Sequence, residues 1–93
     1  ALETSVKYLS VDLGSKNIRV NAISAGPMRT LAGAAIANAR EVFKYTEDNS
    51  PLKRNVSLNE LGNSSLYLVS DLSSAVTGEV HFVDSGFNIK GMP

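Results

Sequence analysis

Two short stretches of this chain alternate like β-strands, and the segments before and between them carry helical periodicity. "NIRVNAIS", residues 17 to 24, sets Ile18, Val20 and Ala22 on one side and Arg19, Asn21 and Ile23 on the other. "EVHFVDSG", residues 79 to 86, alternates Val80, Phe82 and Asp84 with His81 and Val83. The order helix, strand, helix, helix, strand predicts an α/β fold with a parallel sheet. A pair of strands is seldom stable alone and cannot form the twice-covered sheet that this order calls for. The chain is therefore expected to be the C-terminal part of a larger doubly wound parallel sheet, with two strands and three or more helices present here.

The helical segments differ in strength. In "ALETSVKYLSVDL", residues 1 to 13, Leu2, Val6, Leu9 and Leu13 share one face. Gly14 is expected to follow as the C′ residue, where positive φ is cheap. Residues 30 to 48 are Ala-rich and helical, but their apolar stripe is thin and Gly33 weakens it, so low local stability is expected. Pro51 marks a break. "SLNELGNSSLYLVSDLSS" is the clearest helix. Ser57 and Glu60 have the spacing of a capping box, and Leu58, Leu61, Leu68 and Leu72 share a face, with Ser65 between them. Asp71, Ser73 and Ser74 favour a turn.

Composition narrows the function classes. The 93 residues permit one small domain at most, and 43% hydrophobic with 19% charged residues is not a disordered composition. Net charge is zero and no basic stripe appears, so no nucleic-acid partner is expected. Apolar runs fall far below spanning length and no basic-then-apolar leader is seen, so no membrane partner and a soluble, cytoplasmic location are expected. With no Cys and a single His, no metal site is expected.

"VNAISAGPMRTLA", residues 20 to 32, is the most informative stretch. Ser24 to Pro27 lies at the carboxyl end of the first strand, where open α/β sheets bind ligands. Gly26 lets a ligand approach the backbone, Pro27 stiffens the turn, and Met28 follows with its N–H and C=O in a fixed geometry. An ordinary strand-to-helix turn has the same composition, so spacing alone leaves both readings open.

"NIRVNAISAGPMRTLA" resembles the short-chain dehydrogenase/reductase superfamily. Within it, "SAGPMRT" is similar to the NADH-dependent enoyl-[acyl-carrier-protein] reductases of bacterial fatty acid synthesis. "ALETSVKYLSVDLG", "PLKRNVSLNELGNSSLYLVSDLSS" and "TGEVHFVDSGF" agree in order and spacing, so the resemblance covers essentially the whole chain. It implies that residues 1–93 are the C-terminal segment of a single Rossmann-fold NAD(P)-binding domain, with a substrate-binding loop at about 31–48. It also implies a homotetramer that uses NADH to reduce the trans-2 double bond of enoyl thioesters carried on acyl carrier protein.

The cofactor residues implied are Ala25, Gly26, Pro27, Met28, Arg29, Thr30, Leu31 and Ala32. The Met28 N–H and C=O would match the one acceptor and one donor group of a nicotinamide carboxamide, with the Thr30 hydroxyl and nearby amides on the carboxamide or pyrophosphate. The acyl-chain residues implied are Ala32, Ala35, Ile36, Ala39 and Val42, with Leu31 beside them. The bland reading of residues 31 to 45 is an ordinary amphipathic helix. Ala39 stands where many relatives have a bulky aromatic. Ala37 and Glu41 stand where some carry basic residues facing the carrier protein, leaving Arg40.

The family's Tyr-x6-Lys pair and Gly-rich loop are missing, and by its pattern the Lys falls just before Ala1. No catalytic residue is therefore expected here: none of Tyr8, Tyr45 and Tyr67 has a Lys seven residues later. Two other readings are another short-chain reductase, such as a 3-oxoacyl-carrier-protein reductase, which an upstream Tyr-x3-Lys would mark, and a non-catalytic fragment that binds partners through apolar faces. His81, with no acid–base partner apparent in sequence, is expected to be structural, Asp84-Ser85-Gly86 to be a strand-terminal turn, and Lys53-Arg54 to be a solvated pair.

Overall fold

The computed structural model describes residues 1–28 and 38–90. Its elements run α1 (Leu2–Gly14), β1 (Ala22–Ala25), α2 (Ala39–Asn49), α3 (Leu58–Val69), a 3-10 turn (Asp71–Ser73), β2 (Val80–Val83) and α4 (Phe87–Lys90). β1 and β2 pair in parallel, in register from Ala22 opposite Val80 to Ala25 opposite Val83. The fold is α/β, as the order of elements predicts. Equal strand lengths in that register bring both carboxyl ends to one level, and the candidate site lies beyond that edge.

β1 is shorter than the sequence pattern predicts. Residues 18 to 21 carry no ladder, because β2 begins only at Val80. Side chains and loop carbonyls take the place of a strand partner. The Val20 N–H donates to Thr77 Oγ1 at 3.1 Å, and the Val20 carbonyl accepts the Gly78 N–H at 2.7 Å. Asn21 donates from Nδ2 to the Val76 carbonyl and accepts the Glu79 N–H on Oδ1, both at 3.0 Å. Arg19 closes the same loop. Its Nη1 donates to Ser73 Oγ at 3.0 Å and to the Val76 carbonyl at 3.2 Å, and its Nη2 to the Ser70 carbonyl at 3.2 Å.

The first helix also ends differently. Gly14 remains helical, and positive φ falls at Asn17 (58°). The Asn17 N–H reaches the Gly14 carbonyl at 2.9 Å and the Ile18 N–H reaches the Leu13 carbonyl at 3.2 Å. Those are the paired bonds of a Schellman ending, with Asn in the left-handed position that its short polar side chain tolerates. Nothing lies within 4 Å of where a Gly14 Cβ would be, so no contact there demands glycine.

α3 begins where the capping box places it. Ser57 Oγ accepts the Glu60 N–H at 3.1 Å, and the Ser57 N–H donates to Glu60 Oε1 at 3.0 Å. The helix stops at Val69 because Ser70 is extended, so the apolar stripe does not reach as far as predicted. Leu68 is buried, Leu61 and Ser65 half-buried, whereas Leu58 and Leu72 are 60% and 83% exposed. Ser73 is buried in the 3-10 turn, its Oγ 2.7 Å from the Tyr67 carbonyl and receiving Arg19.

Among the described residues, only Val6, Phe43, Val56 and Leu68 form a buried apolar core. The radius of gyration is 15.2 Å, against roughly 12 Å for a compact domain of this length. Leu2, Tyr8 and Val11 of α1 are exposed. Such an open arrangement is what part of a larger sheet looks like. Among the described residues no helix is long and apolar enough to cross a membrane.

Where the strands end, Gly26 donates its N–H to the Val83 carbonyl at 3.1 Å. A Cβ on Gly26 would sit 3.2 Å from both Cα and Cβ of Asp84 and 3.7 Å from Val56 Cγ2. The absence of a side chain at this position is accounted for by Asp84. Gly26→Ala is expected to force the Asp84 backbone aside and to destabilise the full-length protein by about 1–3 kcal/mol, read as a lower urea midpoint.

Arg54 grips Glu60 with two parallel bonds, Nη1 to Oε1 at 2.8 Å and Nη2 to Oε2 at 2.7 Å. With the Ser57 backbone N–H, this pairing holds the Glu60 carboxyl at about 2, below its ordinary 4.5. A folded-state value below the unfolded one contributes stability that is complete above pH 4.5 and is lost as pH falls toward 2. Arg54→Ala is expected to return the Glu60 titration, followed by carboxyl NMR, toward its ordinary value and to remove that part of the acid-unfolding limb.

Candidate cofactor and substrate site

The candidate site is built on the backbone that follows β1. Ala25 ends the strand and is exposed, while Gly26, Pro27 and Met28 are half-buried. Neither the N–H nor the C=O of Met28 makes a hydrogen bond with any described residue. Among the described residues both are therefore unspent, in a segment otherwise tied down by the Gly26–Val83 bond and stiffened by Pro27. The expected cofactor residues Arg29, Thr30, Leu31 and Ala32, and the expected acyl-chain residues Ala32, Ala35 and Ile36, lie outside the described residues.

Met28 borders a cavity of about 420 Å³, together with Glu47 of α2 and residues 54–58 at the entrance to α3. This volume falls in the range of small-ligand pockets. Ala39 is half-buried at the start of α2 and Val42 is 46% exposed; neither borders this cavity. Asn55 ties the cavity wall to α2 by donating from Nδ2 to the Phe43 carbonyl at 3.2 Å. That bond sets which way the amide points and leaves Oδ1 buried, with no hydrogen-bond partner among the described residues. Arg54 also borders a second cavity, of about 460 Å³, on the side of α3 and residues 82–88.

The electrostatics favour binding over proton transfer. Among the described residues the ionisable groups on the Met28 cavity are Glu47 and Arg54. Arg54 is committed to Glu60. Ser57 also borders it, but its hydroxyl is occupied by the helix cap. A free backbone donor and acceptor beside a cavity can orient a planar amide, and no described side chain there is arranged as a nucleophile with a base.

Several residues outside the predicted set proved structured. Arg54 is exposed, as expected of the Lys53-Arg54 pair, and it also forms the bidentate pair with Glu60. The capping box was the available signal, because a helix-first-turn carboxylate attracts a cation from the preceding loop. His81 has a partner after all: its Nδ1 lies 3.2 Å from Glu79 Oε1, and its ring centroid lies 6.2 Å from that of Tyr67. It sits within β2, short of the carboxyl edge. Asp84 is the turn former that its sequence predicts. Its Oδ1 accepts the Gly86 N–H and its Oδ2 the Asn88 N–H, both at 3.0 Å. Among the described residues no group of three or more acidic, His or Cys side chains could hold a metal ion.

The chain is similar to known proteins over nearly all of its length. A family model described as "Enoyl-(Acyl carrier protein) reductase" matches residues 1–88. The chain is 61% identical over 93 residues to enoyl-[acyl-carrier-protein] reductase [NADH] 2 of Rhizobium meliloti (strain 1021), covering all of this chain and 35% of that protein. It is 64% identical over 92 residues to reductase [NADH] 1 of the same strain, covering 99% of this chain and 34% of that one.

Among solved structures, FabI from Candidatus Liberibacter asiaticus superposes with a TM-score of 0.90 at 62% identity, covering 100% of this chain and 36% of that one. The Anaplasma phagocytophilum reductase, solved in complex with NAD, also gives 0.90, at 53% identity and covering 99% and 35%. The chain thus spans about a third of the length of these relatives. Matched over nearly all of its length in sequence and in backbone, the chain belongs to the enoyl-(acyl carrier protein) reductase family.

Proposed function

We propose that the protein carrying this chain reduces the trans-2 double bond of enoyl thioesters on acyl carrier protein with NADH. The observation that carries this reading is the unengaged Met28 backbone at the rim of the 420 Å³ cavity, just beyond the carboxyl end of β1. One N–H and one C=O at a fixed spacing match the acceptor and donor of a nicotinamide carboxamide. NADH, when bound, supplies the hydride that the β-carbon of the enoyl thioester accepts.

In this reading residues 1–93 are the C-terminal segment of one Rossmann-fold domain, and Ala25 to Ala32 hold the nicotinamide end. Residues 31–48, continuing into α2, form the substrate-binding loop, with Ala32, Ala35, Ile36, Ala39 and Val42 along the acyl chain. Chain orientation is the contribution of this segment: it fixes cofactor and substrate relative to each other, and so lowers the entropic part of the barrier. The Tyr that stabilises the enolate oxygen lies outside it. A cytoplasmic homotetramer completes the proposal, with Arg40 as the cation that α2 offers to an acidic carrier protein.

The direct test is NADH oxidation by the full-length protein with a crotonyl thioester. Met28→Pro deletes the backbone donor and is expected to raise the KM for NADH by about tenfold or more. Met28→Ala, which keeps the donor, is expected to leave it near the wild-type value. An unchanged KM in Met28→Pro would remove the backbone clamp from the account.

A further inference from the structure

Helix α2 is held at its C-terminal end by one turn. Leu52, just past the helix, donates its N–H to the Ser85 carbonyl at 3.2 Å. Tyr45 of α2 packs edge-on against Phe87, with ring centroids 6.0 Å apart and planes at 71°. Gly86 has φ +84°, and a Cβ there would lie 2.8 Å from Pro51 Cγ and 3.1 Å from its Cβ and Cδ. The Pro51 ring therefore occupies the space where a side chain at position 86 would stand.

The same turn is rigid within itself and braced on its other side. Asp84 is 9% exposed, and its two carboxylate oxygens accept the Gly86 and Asn88 N–H groups. Its carbonyl accepts the Phe87 N–H at 3.1 Å. Across the strand pair, Cα and Cβ of Asp84 fill the space beside Gly26, two residues before Met28. One short turn thus sits between the backbone proposed to hold the cofactor and the helix proposed to hold the acyl chain.

We infer that the Asp84–Phe87 turn is a positioning element that sets where α2 sits relative to the Gly26–Met28 backbone, and so where the acyl chain lies relative to the nicotinamide. This rests on the proposed roles of α2 and Met28. The turn acts through Pro51 and Tyr45 on one side and through Gly26 on the other. A displacement of about 1 Å at this junction is enough to matter, because misplacement on that scale costs about 100-fold in rate where two reactants must be aligned.

Gly86→Ala in the full-length protein tests it, because the added methyl meets Pro51 at a backbone conformation unsuited to alanine. The KM for crotonyl thioester is expected to rise about tenfold while the KM for NADH stays within about twofold. Hydrogen exchange at residues 43–52 is expected to quicken while α3 keeps its protection. Pro51→Ala in the Gly86→Ala background removes the nearest obstructing atom, Cγ, and is expected to restore part of the substrate KM.

A turn with a purely structural role would lower the melting temperature and the active fraction but leave both KM values unchanged. That result, or exchange that quickens in α3 as much as in α2, overturns the inference. If Gly86→Ala does not fold, Phe87→Ala removes the ring against Tyr45, leaves the turn backbone intact, and is read by the same criteria. A wild-type protein that oxidises no NADH with crotonyl thioester refutes the proposed function instead, and the exchange readout still decides whether the turn positions α2.

Discussion

The carboxyl ends of β1 and β2 meet at one close approach, Gly26 against Asp84, and the whole edge that carries the candidate site is arranged around it. With no side chain on Gly26, the Asp84 backbone and the Val56 methyl come close enough to fill the gap. Val56 is buried, and the next residue, Ser57, caps α3. On the other side Asp84 folds the chain back under Pro51 and Tyr45. Met28, the start of α3 and the end of α2 are each only a few residues from this junction, so a shift there is felt by all three. Close-packed interiors transmit such shifts because they have no slack to absorb them.

Polar contacts, more than apolar burial, hold the described part of the chain in shape. Four buried apolar side chains are a small core, and a two-stranded sheet is marginal by itself. Against that stand Arg19 with its three acceptors, the Asn21 side chain bridging Val76 and Glu79, the Ser57–Glu60 box with Arg54, and the Asp84 turn. Each such bond contributes little by itself, yet together they define loop geometry that apolar contact alone would leave soft. The apolar faces left open, on α1 above all, fit a chain whose relatives are about three times as long.

Much of this was legible residue by residue. The capping box announced the start of α3 because it depends on two residues three apart and on nothing distant. The strand alternation around Val80 located β2, and Asp84-Ser85-Gly86 read as a turn. Alternation predicts too long a β1 because it reports a side-chain pattern, while a ladder also needs a partner of matching length. Gly14 is the helix end that sequence predicts because glycine is the commonest left-handed residue, but Asn17 meets the same need, with Ile18 closing the second bond. Arg54 is exposed, as its sequence predicts, but its pairing with Glu60 depends on how the 54–57 segment enters the helix.

By itself, then, the sequence determined the order and kind of the elements, the turn chemistry at Gly26-Pro27 and Asp84-Gly86, and, through "SAGPMRT", the family. These are encoded locally, in periodicity and in short motifs. Tertiary structure alone decided that Gly26 faces Asp84, that Met28 shares a cavity with α2 and the entrance to α3, and that Pro51 fills the space beside Gly86. Those contacts join segments far apart in the chain. They follow from the parallel register of β1 on β2, which no single stretch of the sequence contains.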